Sequence, residues 1–193
     1  QKRRTRAGVA REKGLEPLVL AILAQEAQSG TAEEYAAQFV DAEKGVETAA
    51  DALAGAMDIV AETVTEGAPL RQKMRKELWQ RAELVTALDE EAEDAQTFLM
   101  YQDYREPLRT LPSHRILAVN RGEKKGCLKV TLQCDHEKLA SEIFDGIDKG
   151  TSIFRDSLKA AIEDGYKRLL FPAMERELRS LLTENAEKQA IHV

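Results

Sequence analysis

The sequence predicts a mainly α fold: a multi-helix scaffold with a small two-stranded β element, an α-rich member of the α+β class. Three features point there. Most of the 193 residues fall into helix-length segments whose apolar positions recur every three or four residues, with capping residues before them and glycines or charged turns after. One stretch, residues 127–134, alternates instead, with Leu128, Val130 and Leu132 set against Lys129, Thr131 and Gln133. That is the period-two pattern of a strand with one buried face. Such a strand needs a partner, because unpaired main-chain groups are costly; Glu-Leu-Val-Thr-Ala-Leu at 83–88, whose composition suits either a prolonged helix or a short strand, is the best candidate and is read as that strand.

Taken in order, Thr5 caps a short helix through Lys13, which Gly14 ends. Leu15-Glu16-Pro17 restarts a helix to about Glu26, with proline tolerated in the first turn, and Ser29-Gly30 makes a turn. Thr31 and Glu34 form a capping box that leads into Tyr35, Ala36, Phe39 and Val40 on one helical face. A long helix covers 47–66, with Leu53, Ala56, Met57, Val60, Ala61 and Val64 as its apolar stripe and Gly67 as its stop. Its small residues Ala54, Gly55 and Ala56 let another helix come close. The next helix begins at Pro69 and turns Leu70, Met74, Leu78 and Ala82 inward, with Trp79 beside that stripe in a packing role.

After the strand at 83–88, the acidic run 89–94 is expected to open a helix, where carboxylates suit the positive N-terminal end. Ser113 after Pro112 is expected to cap a short helix, and the unbroken apolar run Ile116-Leu117-Ala118-Val119 predicts that this helix is buried. Beyond the strand at 127–134, Asp135 or Ser141 starts a helix to about Phe144. Thr151 then caps a helix over 152–170, with Ile153, Phe154, Leu158, Ala161, Ile162, Tyr166 and Leu169 inward. Pro172 marks a kink or a fresh start, and the last helix carries Met174, Leu178, Leu181, Leu182 and Ala186. Helix pairs recur without a fixed period, so a repeat array is not expected. The chain divides for description into 1–100, the N-terminal helical part, and 101–193, with the two expected to form one continuous structural unit.

Composition sets further bounds. The net charge is −6 with sparse aromatics, so a global basic footprint for nucleic acid is absent. The charge is unevenly placed, however. Lys2, Arg3, Arg4, Arg6, Arg11 and Lys13 stand near the start against one Glu12, and Arg105, Arg109, Arg115, Arg121, Lys124, Lys125 and Lys129 fall within residues 101–131. No apolar run reaches the roughly 18–20 residues that span a bilayer, and no signal-peptide pattern opens the chain, which leads to the expectation of a cytoplasmic protein with no membrane partner. Cys127 and Cys134 stand at opposite ends of the predicted strand, roughly 23 Å apart at about 3.3 Å per residue, so they are expected to be free thiols rather than a disulfide.

At residues 101–132 the sequence resembles a known family. The run PSHRILAVNRGEKKGCLKV is similar to the signature of the bacterial Tex, or transcription accessory, proteins, as are KRRTRAGVAREKGLEPL, ADALAGAMDIVAE and YQDYREPL, in the family's order. The resemblance implies a large multidomain nucleic-acid-binding protein of which this is the helical middle. It also implies that an RNase-H-like domain, helix-hairpin-helix elements and an oligonucleotide-binding barrel follow C-terminally, the first beginning about where AEKQAIHV ends. Most nucleic-acid affinity is then expected in that barrel.

No catalytic constellation emerges from the residues. Arg121-Gly122-Glu123-Lys124-Lys125-Gly126 lacks the spacing of a phosphate loop. Of His114, His136 and His192, His136 follows Cys134 by two residues, but no second Cys/His pair stands at zinc-finger spacing. Ser113 and His114 are adjacent on a helix and so diverge by about 100°. No enzyme activity, cofactor or metal is expected. For nucleic acid, Lys2, Arg3, Arg4, Arg105, Arg109, Arg115, Arg121, Lys124 and Lys125 are candidate phosphate contacts, and Tyr101 and Tyr104 candidate stacking platforms. The competing role for these groups is structural, holding turns through carboxylates, carbonyls and hydroxyls. The expected function is a non-enzymatic scaffold supporting RNA or DNA binding by a parent protein. The alternatives are a direct, nonspecific nucleic-acid module and an interaction module for the transcription machinery.

Overall fold

The structure is a computed structural model and describes residues 4–191. The chain forms two compact units, each discontinuous in sequence: Gln1–Leu70 with His136–Phe171, and Arg71–Asp135 with Pro172–Val193. Residue 100 falls inside the second.

Among the described residues the first unit is helical apart from one isolated antiparallel bridge between Asp41 and Val46, and it is built on α4 (Ala49–Glu66). Around α4 pack α1 (Arg6–Glu12), α2 (Glu16–Ala24), α3 (Ala32–Ala36) and α8 (Arg155–Gly165), and α7 (His136–Ile147) lies against α8. The expected caps at Thr5 and Thr31 hold: Thr5 Oγ1 accepts from Gly8 N–H, and Thr31 and Glu34 close the capping box. A further cap starts α4, where Thr48 Oγ1 accepts from Asp51 N–H. Small residues on α4 set how closely its neighbours approach. A Cβ on Gly55 would fall 2.4 Å from Leu15 Cδ1, and one on Gly165 would meet the Ala61 carbonyl oxygen at 3.0 Å and its Cα at 3.2 Å. Leu15, Leu18, Ile22, Ala56, Ile59, Val60, Phe154, Leu158 and Ile162 fill the core. The α2 and α7 ends are joined by one side chain, Gln25, which donates to Ile147 O and accepts from Lys149 N–H, each at 2.9 Å. Gln25 is buried and left-handed (φ 55°), so α2 ends at Ala24, two residues before the expected Glu26.

The second unit holds the sheet. Strands β1 (Glu83–Leu88), β2 (Arg105–Pro107) and β3 (Leu128–Gln133) are antiparallel in the order β2-β1-β3. The pairing of 83–88 with the alternating strand is as expected, in the register Glu83↔Gln133 to Leu88↔Leu128. Leu128, Val130 and Leu132 are buried and Lys129 is exposed. The sheet gains a third strand that alternation does not reveal, because Arg105–Pro107 is three residues long and ends in a proline tolerated at a sheet edge. Helix α6 (Ser113–Lys124) packs on β3, where a Cβ on Gly122 would sit 2.4 Å from Leu128 Cδ1. Helices α5 (Ala68–Arg81) and α9 (Phe171–Ile191) complete the element list, and within this unit they bury Met74 and Leu78, and Met174, Leu178, Leu182 and Ala186.

Several local expectations are corrected. The acidic run 89–94 makes turns, in which Asp89 Oδ1 accepts from Glu91 N–H, and then a 3-10 segment Ala95–Tyr101. Ser113 does not cap α6; it is already the first helical residue, and its hydroxyl donates to the Gln189 side-chain oxygen. Helix α6 buries Ile116, Val119 and Gly122 but leaves Leu117 and Ala118 half-buried. Helix α3 stops at Ala36 and turns 3-10, so Val40 is exposed, as is Leu181. The helix expected over 152–170 starts only at Arg155, after a turn in which Ser152 Oγ accepts from Phe154 N–H, and it widens into a π-helical turn at Tyr166–Leu170. Pro172 gives the physical reason: it has no N–H for the Arg168 carbonyl, and the ladder opens just before it.

Two outcomes follow from the first unit's packing. Gly165→Ala should lower the melting temperature, because the Ala61 main chain cannot yield; overpacking of about 1–3 kcal/mol outweighs a helix-propensity gain of about 1. An unchanged or higher melting temperature by circular dichroism would show that α4 and α8 have room to part. Asp58 on α4 is held above the usual carboxylate range, chiefly by burial, with Arg6 and Arg168 pulling it partly back. A raised carboxyl favours the folded state only while protonated, and that contribution is lost as pH rises through the folded pKa. Asp58→Asn should therefore raise the neutral-pH melting temperature, and the gain should fade on acidification through the carboxylate range.

Candidate nucleic-acid interface

The basic segment is anchored to the sheet at its start. Thr86, buried at the centre of β1, donates its hydroxyl to Tyr101 O at 2.6 Å and its N–H to Tyr104 O at 3.0 Å. This fixes the two tyrosines. Tyr101 is only 4% exposed and meets Tyr104 edge to face, at 5.3 Å between centroids and 85° between planes. Tyr101 is thus a core ring, with no face open to a base. Tyr104 is half-buried, and the Arg115 guanidinium lies 5.2 Å from its centroid. Burial and then the Glu106 carboxylate push its hydroxyl pKa up, while Arg115 pulls the other way.

The arginines of the segment are largely engaged within the fold. Arg105 donates to Gln133 Oε1 at 2.7 Å and pairs with Glu83 at 3.4 Å, so it ties β2 to β1 and β3. Arg109 donates to the Gln80 carbonyl at 2.6 Å. Lys125 pairs with Asp94 at 3.7 Å and Arg4 with Glu12. Two candidates remain outward. Arg121 and Lys124, in the last turn of α6, are exposed and make no ion pair or side-chain hydrogen bond among the described residues. Lys2 and Arg3 lie outside the described residues, as does His192. His114 is exposed on α6. Cys127, buried, and Cys134, half-buried, are not joined in a disulfide. Among the described residues no group of three or more His, Cys, Asp or Glu is placed to hold a metal ion, and no helix is long and apolar enough to cross a membrane.

One important residue has no local signal at all. Arg179 on α9 reaches Asn120 Oδ1 at 3.0 Å and both Glu123 oxygens, at 2.8 and 3.3 Å, and thereby holds the outer face of α6. Asn120 Nδ2 in turn donates to Thr183 Oγ1 at 2.8 Å. These partners are about sixty residues apart in the chain, so helical periodicity could not join them.

A family model described as Tex central region-like matches residues 27–193. The chain belongs to the Tex family. Among its relatives are protein tex of Bordetella pertussis, 41% identical across the whole chain, and YdcI of Bacillus subtilis, at 39%. The transcriptional accessory protein Tex of Neisseria gonorrhoeae is 34% identical, again over the whole chain. The chain spans about a quarter of the length of these relatives, 26, 27 and 26% respectively. The resemblance carried by PSHRILAVNRGEKKGCLKV is therefore a true family relation, and that run spans α6, the turn after it and the first three residues of β3.

The Tyr104–Arg115 pair offers a direct test of how the segment is held. Arg115→Ala removes a nearby cation, so the Tyr104 hydroxyl pKa should rise further, followed by NMR of labelled tyrosine. Stability should fall by only about 0.5–1 kcal/mol, the range for an exposed cation–π contact. A lower Tyr104 pKa in the variant would contradict the contact.

Proposed function

We propose that the chain is a non-enzymatic helical scaffold within a Tex-like transcription accessory protein, and that the parent protein binds RNA or DNA mainly through parts beyond these residues. The observation that carries this reading is the internal engagement of the segment's arginines: Arg105, Arg109 and Arg115 all have partners within the fold, and Tyr101 is buried. Groups already tied to carboxylates, carbonyls and rings position the chain but add little to phosphate affinity. Two relatives' names agree with the wider role: one relative is a transcriptional accessory protein, and the human S1 RNA-binding domain-containing protein 1 is 27% identical over 97% of the chain. A cytoplasmic setting and contact with the transcription machinery are part of the proposal.

A second reading, direct nonspecific binding, rests on Arg121 and Lys124, which face outward without partners among the described residues. In this reading each adds about 0.9 to the negative slope of log affinity against log salt on duplex DNA. The test is a salt-dependent titration of this chain and of a longer protein that includes the C-terminal domains. Under the scaffold reading the chain alone should bind in the weak nonspecific range, about 10⁻⁴–10⁻⁶ M or weaker. Arg121→Ala with Lys124→Ala should flatten its slope by at most about 2 units without moving the melting temperature, whereas Arg105→Ala should lower the melting temperature and leave the slope alone. Tight, sequence-dependent binding by this chain alone would overturn the scaffold reading.

A further inference from the structure

The first unit carries a cleft of about 660 Å³ between α7, α8 and the π-helical turn Tyr166–Leu170. Its floor is buried Ala140 and Tyr166 with half-buried Phe171. At one end the rings gather. His136 Nδ1 lies 2.8 Å from the Tyr166 hydroxyl oxygen, and the His136 ring meets Phe171 edge to face at 4.5 Å and 82°. Tyr166 and Phe171 stand 6.0 Å apart at 37°. Along one rim run Lys159, Glu163 and Lys167, all exposed, and neither lysine makes an ion pair or hydrogen bond among the described residues.

The π turn is what builds the ring cluster. In an α-helix, side chains five residues apart diverge by about 140°. Here Phe171 N–H bonds to Tyr166 O, so positions 166 and 171 come round to the same side and both line the cleft. Single π turns are rare in proteins and concentrate where they shape a site. Aromatic side chains gathered beside uncommitted lysines have a specific complement, an aromatic ring that carries a negative charge. Lys159 and Lys167 are eight residues apart, about 12 Å along the helix, so one end of the rim lies beside the rings and the other well beyond them. Between them Glu163 can accept hydrogen bonds from ring amino groups.

We infer that this cleft binds a nucleotide, its base against the exposed His136 ring and half-buried Phe171, with buried Tyr166 holding them from behind, and its phosphate on Lys159, either as a free mononucleotide or as the end of a single strand. The site is independent of the scaffold role: it lies in the other unit from the basic segment and uses none of its residues. Its volume falls within the ordinary range for small-ligand pockets, about 300–1,000 Å³.

NMR titration of the chain tests it, with adenosine and uridine monophosphates, adenosine, inorganic phosphate and a short single-stranded oligonucleotide as probes. The nucleotides should shift the ring signals of His136, Tyr166 and Phe171, and phosphate alone should not. Lys159→Glu with Lys167→Glu should weaken nucleotide binding about tenfold or more while sparing adenosine, since charged hydrogen bonds are lost and ring contacts kept. Both lysines are exposed, so an unchanged melting temperature should accompany the loss. Tighter binding of the oligonucleotide than of the mononucleotide would identify the strand end as the ligand, and equal binding the free nucleotide. Silent ring signals with every probe, or unchanged nucleotide affinity in the double lysine variant, would overturn the assignment. The readout is a ring shift rather than a salt slope at Arg121 and Lys124, so this proposal and the scaffold reading fail separately.

Discussion

The second unit depends on the satisfaction of one strand's main chain. β1 lies at the centre of its sheet, so its main-chain groups have to be matched on both sides. β3 supplies one side over six residue pairs, and β2 the other over three. β2 is too short to cover β1 by itself, and its reach is extended by Tyr104 O, which accepts from Thr86 N–H, and by Leu108 N–H, which donates to Ala82 O. Thr86 adds its hydroxyl to the Tyr101 carbonyl. A threonine in the middle of a buried strand would otherwise leave a polar group without a partner, a loss of roughly 1–3 kcal/mol. The same bond that satisfies Thr86 fixes the start of the basic segment, and Tyr101, Tyr104 and Arg115 follow from it.

A helix then has to cover β3, and the family run encodes both at once. Leu128, Val130 and Leu132 point into the core, and Gly122 clears a place on α6 for Leu128. The outer edge of β3 is partly closed by a side chain, since Leu132 N–H donates to Glu175 Oε2 at 2.8 Å. A carboxylate on a helix is thus used to blunt a sheet edge, where bare N–H groups would invite another strand.

How much was legible in the sequence followed from the range of each interaction. Caps at Thr5 and Thr31 are made within three residues and were read from local spacing, as was the β3 alternation, whereas its pairing with 83–88 followed only from the strand's need for a partner. β2 was missed because three residues ending in Pro107 show neither alternation nor strand propensity. The expected helix at 89–94 failed because acidic charge suits a helix start but does not create one, and the Asp89 side chain instead accepts from Glu91 N–H in a turn. The π turn was hidden for a different reason: Pro172 signals that the ladder must break, but not whether it breaks by a kink, a restart or one wide turn. At the candidate interface, the residue types were legible and their partners were not. Arg105 finds Gln133 and Arg179 finds Glu123 only once the chain has folded.

That last distinction separates charge from footprint. Seven Lys/Arg within residues 101–131 suggested a phosphate-binding patch, yet the arginines among them behave differently from the lysines. Arginine's planar fork and stacking face reward fixed partners: Arg105 bridges three strands, Arg109 holds a carbonyl and Arg115 covers a ring. Lysine is a strongly hydrated point charge on a flexible stem and gains less from such geometry, so Lys124 and Lys129 stay exposed, and Lys125 makes only a long, exposed pair of small worth. Arg121 is the exception, held outward in the last turn of α6, where a cation also suits the negative end of the helix. The electrostatic surface that a nucleic acid would meet is thus smaller than the basic count and differently composed, because folding has first claim on the groups that bond most specifically.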